Sequence, residues 1–369
     1  MAGWGRVAGL SEAITIIAGR MKETAERMAH AMVSPMQMID REGLGGDGAP
    51  CAPDRARAYV HELATSHYEN FPVLTRLVPA ELRDDFAAVY AFCRWSDDLG
   101  DETGAGEAAR ARSLDLLRQW RAMLDGCVRF ARGEDGGGQG APSHPVYAAL
   151  AGTIRRHNLS DRPFHHLIDA FEQDQRVTRY ETWEQVLDYC TRSADPVGRI
   201  VLALAGVGDG GAPTEGDERA ARLVKMSDAT CTALQLINFW QDVRRDLLER
   251  DRVYLPSGEV GFGAEELRAW IAEPEVPEHR VRYIKALRPL VKRTGALFEE
   301  GRPLAEELPP SIAPVVRLFW EGGMTIVHAV ERQGCTTLWR RPRLGKAKKA
   351  SLVLGAMIRA KLAHRGEAA

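Results

Sequence analysis

Between Pro53 and about Gln333 the apolar positions recur at helical spacing, three and four residues apart. Segments rich in Ala, Leu, Arg and Glu alternate with Gly- and Pro-bearing breaks, and the alternation expected of strands is nearly absent. Breaks at Gly133–Pro142, Gly208–Asp217, Pro256–Gly258, Pro274–Pro277 and Pro309–Pro310 delimit roughly eight to ten helices, with no sheet and no internal repeat. The expectation is an all-α fold. Upstream, residues 1 to about 40 read as an amphipathic helix with Met21, Met28 and Met32 on one side, after which Gly43–Pro53 breaks the pattern. The chain is therefore divided into an N-terminal extension and linker (1–52), a helical domain (53–340) and a C-terminal tail (341–369); a start codon set too far upstream is the alternative origin of the extension.

Composition narrows the function classes. The 369 residues carry 49 Lys+Arg against 51 Asp+Glu, a net charge of −2, which speaks against a protein that coats nucleic acid. Six cysteines, none within four residues of another, offer no CxxC motif and read as reduced thiols of a cytoplasmic protein. The apolar stretch Ala13–Gly19 is too short for a secretory signal, and no run approaches the ~20 apolar residues of a membrane span. The tail differs from the rest. Arg340–Arg365 holds nine basic residues and no acid around the apolar patch Leu352–Ile358. Such a segment suits peripheral contact with the cytoplasmic membrane face, or else a solvated helix packed on the core.

Several motif-like strings fail on context. Gly43–Gly48, and Gly206, Gly208 and Gly211, fit the GxGxxG spacing, but neither follows a strand within a βαβ unit, so a nicotinamide site is not expected. His61-Glu62 starts an HExxH pattern that Thr65 ends, and His165-His166 are adjacent, so they point apart on a helix.

Two segments place acids at helical spacing. In the first, Tyr90, Arg94, Asp97 and Asp101 share one face, with Asp98 beside them. In the second, Gln235, Asn238, Asp242 and Asp246 form a stripe among Leu234, Ile237 and Phe239, so carboxylates lie on a helix expected to be buried. Acids four apart are common on solvated faces; two such segments with apolar flanks and polar residues in register are not. Hard-oxygen donors of this kind suit Mg²⁺, which takes one or two carboxylates and completes its shell with water and phosphate oxygens. Arg94 and Arg245 could add charge-assisted contacts to a diphosphate.

The segments resemble the squalene/phytoene synthase family. Tyr90–Glu102 is similar to its YAFCRxxDDxxDE pattern, Gln235–Asp246 to QLxNxxxDxxxD, and Arg252–Pro256, Tyr189-Cys190, Ala194 and Val197-Gly198 to further family segments, over about residues 60–335. The resemblance implies an isoprenoid-synthase helical bundle around a central cavity. It implies Mg²⁺ on Asp97, Asp101, Asp242 and Asp246 with Asp98 and Asn238 assisting, Arg94 on diphosphate, Tyr189 and Gln235 at the reacting centre, and Tyr90 and Tyr254 as further contacts. Within the family, Tyr189–Arg199 and Asn238–Asp242 look like bacterial hydroxysqualene synthases of hopanoid pathways, which ionise presqualene diphosphate and capture the rearranged cation with water. His67, Tyr68 and Asn70 would then shape the substrate or water position. The alternatives are a head-to-head phytoene or squalene synthase acting on farnesyl or other prenyl diphosphates, a terpene cyclase, and a non-catalytic relative acting as an assembly factor. Acid groups about 145 residues apart must share one cavity, so residues 53–340 are read as one domain.

Overall fold

The computed structural model describes residues 35–45, 48–67, 77–104, 106–134, 140–213, 216–343, 345, 351–357 and 359. The helices are α1 (Pro35–Glu42), α2 (Pro53–His67), α3 (Arg83–Asp101), α4 (Glu107–Arg132), α5 (Pro145–His157), α6 (Arg162–Asp174), α7 (Trp183–Ser193), α8 (Asp195–Leu204), α9 (Glu218–Glu249), α10 (Ser257–Val260), α11 (Ala264–Ala272), α12 (Pro277–Gly301), α13 (Leu304–Glu307) and α14 (Ala313–Arg332), and residues 351–357 are also helical. Eight of the helices run to thirteen residues or more, matching the long periodic segments. Helices of four residues, such as α10 and α13, are too short to carry a period.

The fold departs from the sheet-free expectation at one place. β1 (Arg179–Tyr180) pairs in parallel with β2 (Val253–Pro256), through a register irregularity between Arg179 and Tyr180. A two-residue strand leaves no alternation to detect, and its partner lies more than seventy residues downstream. The pairing brings the segment after α9 against the segment before α7.

Two apolar clusters make up the core. The first gathers side chains of α2 to α6, α8, the start of α9, and α13 to α14. The second gathers α7, the rest of α9, both strands, and α11, α12 and α14. Helix α9 belongs to both. Its 32 residues span about 48 Å, and buried side chains occupy all its sides, as expected of a central helix. Its start is set by Asp217, whose side chain accepts from Ala220 N at 2.8 Å. Large aromatic side chains fill both clusters with their polar atoms satisfied. Trp95 Nε1 donates to Tyr59 Oη at 2.8 Å, Trp120 Nε1 to Ser96 Oγ at 3.0 Å, and Trp240 Nε1 to Thr294 Oγ1 at 2.8 Å.

Two helices follow one another from Trp183 to Leu204. Thr182 caps α7 through a capping box with Gln185. The chain turns at Ala194, and Pro196 lies in the first turn of α8. Gly198 then lets α8 approach α9: a Cβ there would sit 2.4 Å from Ser227 Oγ and 2.5 Å from Cys231 Sγ. The glycines at 206, 208 and 211 follow helix α8, so the strand that a dinucleotide fingerprint requires is not there.

The two flanking segments touch the bundle. Tyr59 Oη donates to the sulfur of Met38 at 3.4 Å, Arg112 pairs with Asp40 at 2.6 Å, and Cys51 N donates to Pro142 O at 3.0 Å. Leu44 is buried in the first cluster. The amphipathic pattern with Met21, Met28 and Met32 lies outside the described residues. In the tail, Ala356 is buried against the first cluster, and Arg359 pairs with Glu321 at 2.8 Å. Among the described residues no helix is long and apolar enough to cross a membrane, and the six cysteines are free.

Candidate functional site

Helix α3 reaches the seam between the two clusters with Asp97 and Asp101, one turn apart near its C-terminus. Helix α9 reaches it with Gln235, Asn238, Asp242 and Asp246. Both sets face one cavity of about 430 Å³, whose wall also carries Tyr189, Arg245 and Tyr254. Nine of the residues expected from the sequence are thereby brought together. A cavity of about 490 Å³ beside Leu44, Trp95 and His144 has no acid in its wall among the described residues.

Arginines bridge the acids. Arg250 lies 2.9 Å from Asp101 Oδ2 and 4.0 Å from Asp246 Oδ1, so one guanidinium spans the two acid helices. Arg252 Nη1 lies 2.9 Å from Asp101 Oδ1 and 3.5 Å from Asp174 Oδ2. Arg245 lies 3.0 Å from Asp242 and 3.5 Å from Asp246. Arg341, from the tail, also pairs with Asp242 through two nitrogens.

Burial raises two of the acids, Asp97 and Asp246. Asp97 is held above the usual carboxylate value first by desolvation and then by the charge of Asp101. Desolvation pushes Asp246 up to about 6 against the pull of Arg245. Like charges packed this closely favour a bound cation.

The remaining expected residues lie elsewhere. Arg94 and Asp98 are not on the cavity wall. Asp98, 2% exposed, lies 2.5 Å from Arg94 Nη2, yet neither of its oxygens has hydrogen-bond geometry; burial pushes it up to about 7 against Arg94. Arg94 also reaches Asp97 at 3.5 Å. Tyr90 is half-buried against the first cluster. His67 is the last residue of α2, its side chain lying outside the described residues together with Tyr68 and Asn70. The expected face of Tyr90, Arg94, Asp97 and Asp101 is thus divided: only its C-terminal turn reaches the cavity.

Sequence reasoning missed four groups. Asp174 ends α6, and its carboxylate accepts from Tyr189 Oη at 2.8 Å and Tyr254 Oη at 3.3 Å. Burial raises Asp174 to about 6 against Arg252. Desolvation and the Asp174 charge keep Tyr189 far above the usual phenol value, so it remains a neutral hydroxyl. The signal for Asp174 was its register: it continues the buried face of Phe164, Leu167, Ile168 and Phe171. Arg250 and Arg252 follow the second acid helix directly. Arg341 left no local signal.

Tyr254 stacks on Phe239 with ring centroids 3.7 Å apart, and Tyr189 lies 5.6 Å from Tyr254, giving the cavity an aromatic wall. One to two turns earlier on α9, Cys231 and Leu234 line an apolar pocket of about 140 Å³ with Val197, Val201, Val316 and Phe319. One helix thus offers an apolar stretch in its middle and a charged stretch towards its C-terminus.

The donor set fits Mg²⁺. Among the described residues the cavity wall carries carboxylates and the amides of Asn238 and Gln235, and no cysteine, methionine or histidine. Among the described residues no three acidic, histidine or cysteine side chains converge as a ready-made metal cage.

The family model described as squalene/phytoene synthase matches residues 64–348. A hydroxysqualene synthase of Zymomonas mobilis is 35% identical over 51% of this chain, and the matched stretch spans only 55% of that relative's length. A phytoene synthase of Thermus thermophilus is 30% identical over 82% of this chain and 92% of its own. The crystal structure of squalene synthase HpnC from Alicyclobacillus acidocaldarius is similar with a TM-score of 0.63 and 39% identity, over 78% of this chain and 97% of that one.

Proposed function

This chain belongs to the squalene/phytoene synthase family, and on that premise we propose that it converts presqualene diphosphate to hydroxysqualene with release of diphosphate. The observation that carries the reading is the acid cavity itself: carboxylates from α3 and α9, an aromatic wall between them, and an apolar pocket earlier on α9. A substrate with a diphosphate head and hydrocarbon tails matches that order of surfaces.

Asp97, Asp101, Asn238, Asp242 and Asp246 would hold Mg²⁺, with Asp98 buried behind them. When bound, the ion would supply Lewis-acid charge to the leaving diphosphate. Arg245, Arg250 and Arg252 add fixed positive charge around the same phosphate oxygens. The faces of Tyr189, Phe239 and Tyr254 would steady the carbocation left behind. Capture then joins a water oxygen to the cationic carbon, and one proton of that water passes to the released diphosphate. No reductant enters this balance.

The similarity to a hydroxysqualene synthase supports this reading. The broader coverage of the Thermus phytoene synthase favours a second one, head-to-head condensation of two prenyl diphosphates. Incubation of the purified protein with Mg²⁺ and either presqualene or farnesyl diphosphate, with and without NADPH, separates them. Hydroxysqualene from presqualene diphosphate alone supports the first reading. Consumption of only the free prenyl diphosphates refutes it.

A further inference from the structure

Asp174 is 6% exposed and sits at the cavity wall, yet it belongs to neither acid helix. Its partners come from two elements brought together by the β1–β2 pairing. Tyr189 Oη of α7 donates to Oδ2 at 2.8 Å, Tyr254 Oη of β2 to Oδ1 at 3.3 Å, and Arg252 Nη1 lies 3.5 Å from Oδ2. Both carboxylate oxygens are therefore occupied by the two tyrosines that form the aromatic wall. A phenol has one proton to give. Once that proton is committed to Asp174, the phenol oxygen has only lone pairs left for whatever enters the cavity. It can then accept from a water but not donate to the site where the water's own lone pair must point.

Resting on the reading above, we propose that Asp174 is a positioning residue for termination of the cation: by holding the hydroxyls of Tyr189 and Tyr254 it favours capture by water over loss of a proton. The two endings balance differently. In capture, a water lone pair forms the C–O bond and one water proton passes to the released diphosphate. In the other, a C–H bond next to the cationic carbon breaks, its electron pair forms an alkene, and that proton passes to diphosphate. Asp174 acts on the choice between them, downstream of diphosphate departure.

The test uses the full chain with Mg²⁺ and presqualene diphosphate, without NADPH, and reads diphosphate release and the ratio of hydroxylated to hydrocarbon product. If the wild type makes no hydroxysqualene, the functional reading itself fails, independently of Asp174. Given a hydroxylating wild type, Asp174→Asn should keep diphosphate release within about tenfold. It should lower the product ratio at least about tenfold, the scale of one charge-assisted hydrogen bond. Tyr189→Phe removes the same contact from its other end, keeps the carboxylate, and decides the matter if Asp174→Asn does not fold. The double variant should be no worse in ratio than Asp174→Asn alone, which already disturbs both contacts. Asp174→Glu should recover part of the ratio. An unchanged ratio in Asp174→Asn or in Tyr189→Phe would overturn the proposal, as would equal losses of diphosphate release and hydroxylation.

Discussion

Arg341 grips Asp242 from 99 residues further along the chain, with two guanidinium nitrogens on the two carboxylate oxygens. The basic tail thus begins at the acid cavity, where Gln241 Nε2 also donates to Pro342 O at 2.7 Å. Asp242 cannot give the same oxygens fully to a guanidinium and to a cation. Arg341→Gln should therefore raise the affinity of the substrate-free protein for Mn²⁺, used as a Mg²⁺ probe. About a three- to tenfold rise is expected, the ~1 kcal/mol scale of a partly exposed pair. Titration followed by electron paramagnetic resonance reads this directly.

Asp97→Asn and Asp242→Asn remove one carboxylate from each acid helix while conserving shape. Each should lower kcat/KM for diphosphate release by about 10²- to 10³-fold, ~3–4 kcal/mol of lost electrostatic stabilisation. Mn²⁺ affinity should fall with it. Turnover close to wild type in both would remove these residues from the metal assignment.

Asp98 makes stability depend on pH. Its folded-state value of about 7 lies above the usual 3.8 because burial outweighs the pull of Arg94. The folded protein therefore holds this proton more tightly than the unfolded chain. The stability it contributes is complete below about pH 4 and is lost as pH rises through about 7. Asp98→Asn removes that titration. In chelated buffer the variant's Tm minus the wild-type Tm should be more positive at pH 8 than at pH 5 by roughly 2–4 °C, the response to ~1 kcal/mol in a large domain.

Gly198→Ala should lower unfolding stability by about 1–3 kcal/mol, since the new methyl group meets Ser227 and Cys231 where α8 crosses α9. Urea denaturation measures the loss. A midpoint equal to the wild type would show that the two helices can separate at that crossing.

The acid stripes were legible because helical period alone fixes which residues share a face: Asn238, Asp242 and Asp246 arrive together as spacing requires. Period does not say where a face ends, so Tyr90 and Arg94 were grouped with Asp97 and Asp101 although only the last turn of α3 reaches the cavity. The all-α class was legible for the same reason, while the β1–β2 pairing was not, since two residues carry no alternation. Contacts set by tertiary approach left no local mark. Arg341 meets Asp242, and Tyr254 meets Asp174, only because long segments fold back.

The central claim is that a cation formed in the acid cavity is captured by water. Turnover of presqualene diphosphate by the purified protein in H₂¹⁸O, with Mg²⁺ and no NADPH, tests it most directly by mass analysis of the lipid product. Hydroxysqualene carrying one ¹⁸O is the expected result. A hydrocarbon product, or an alcohol without the label, would contradict the account.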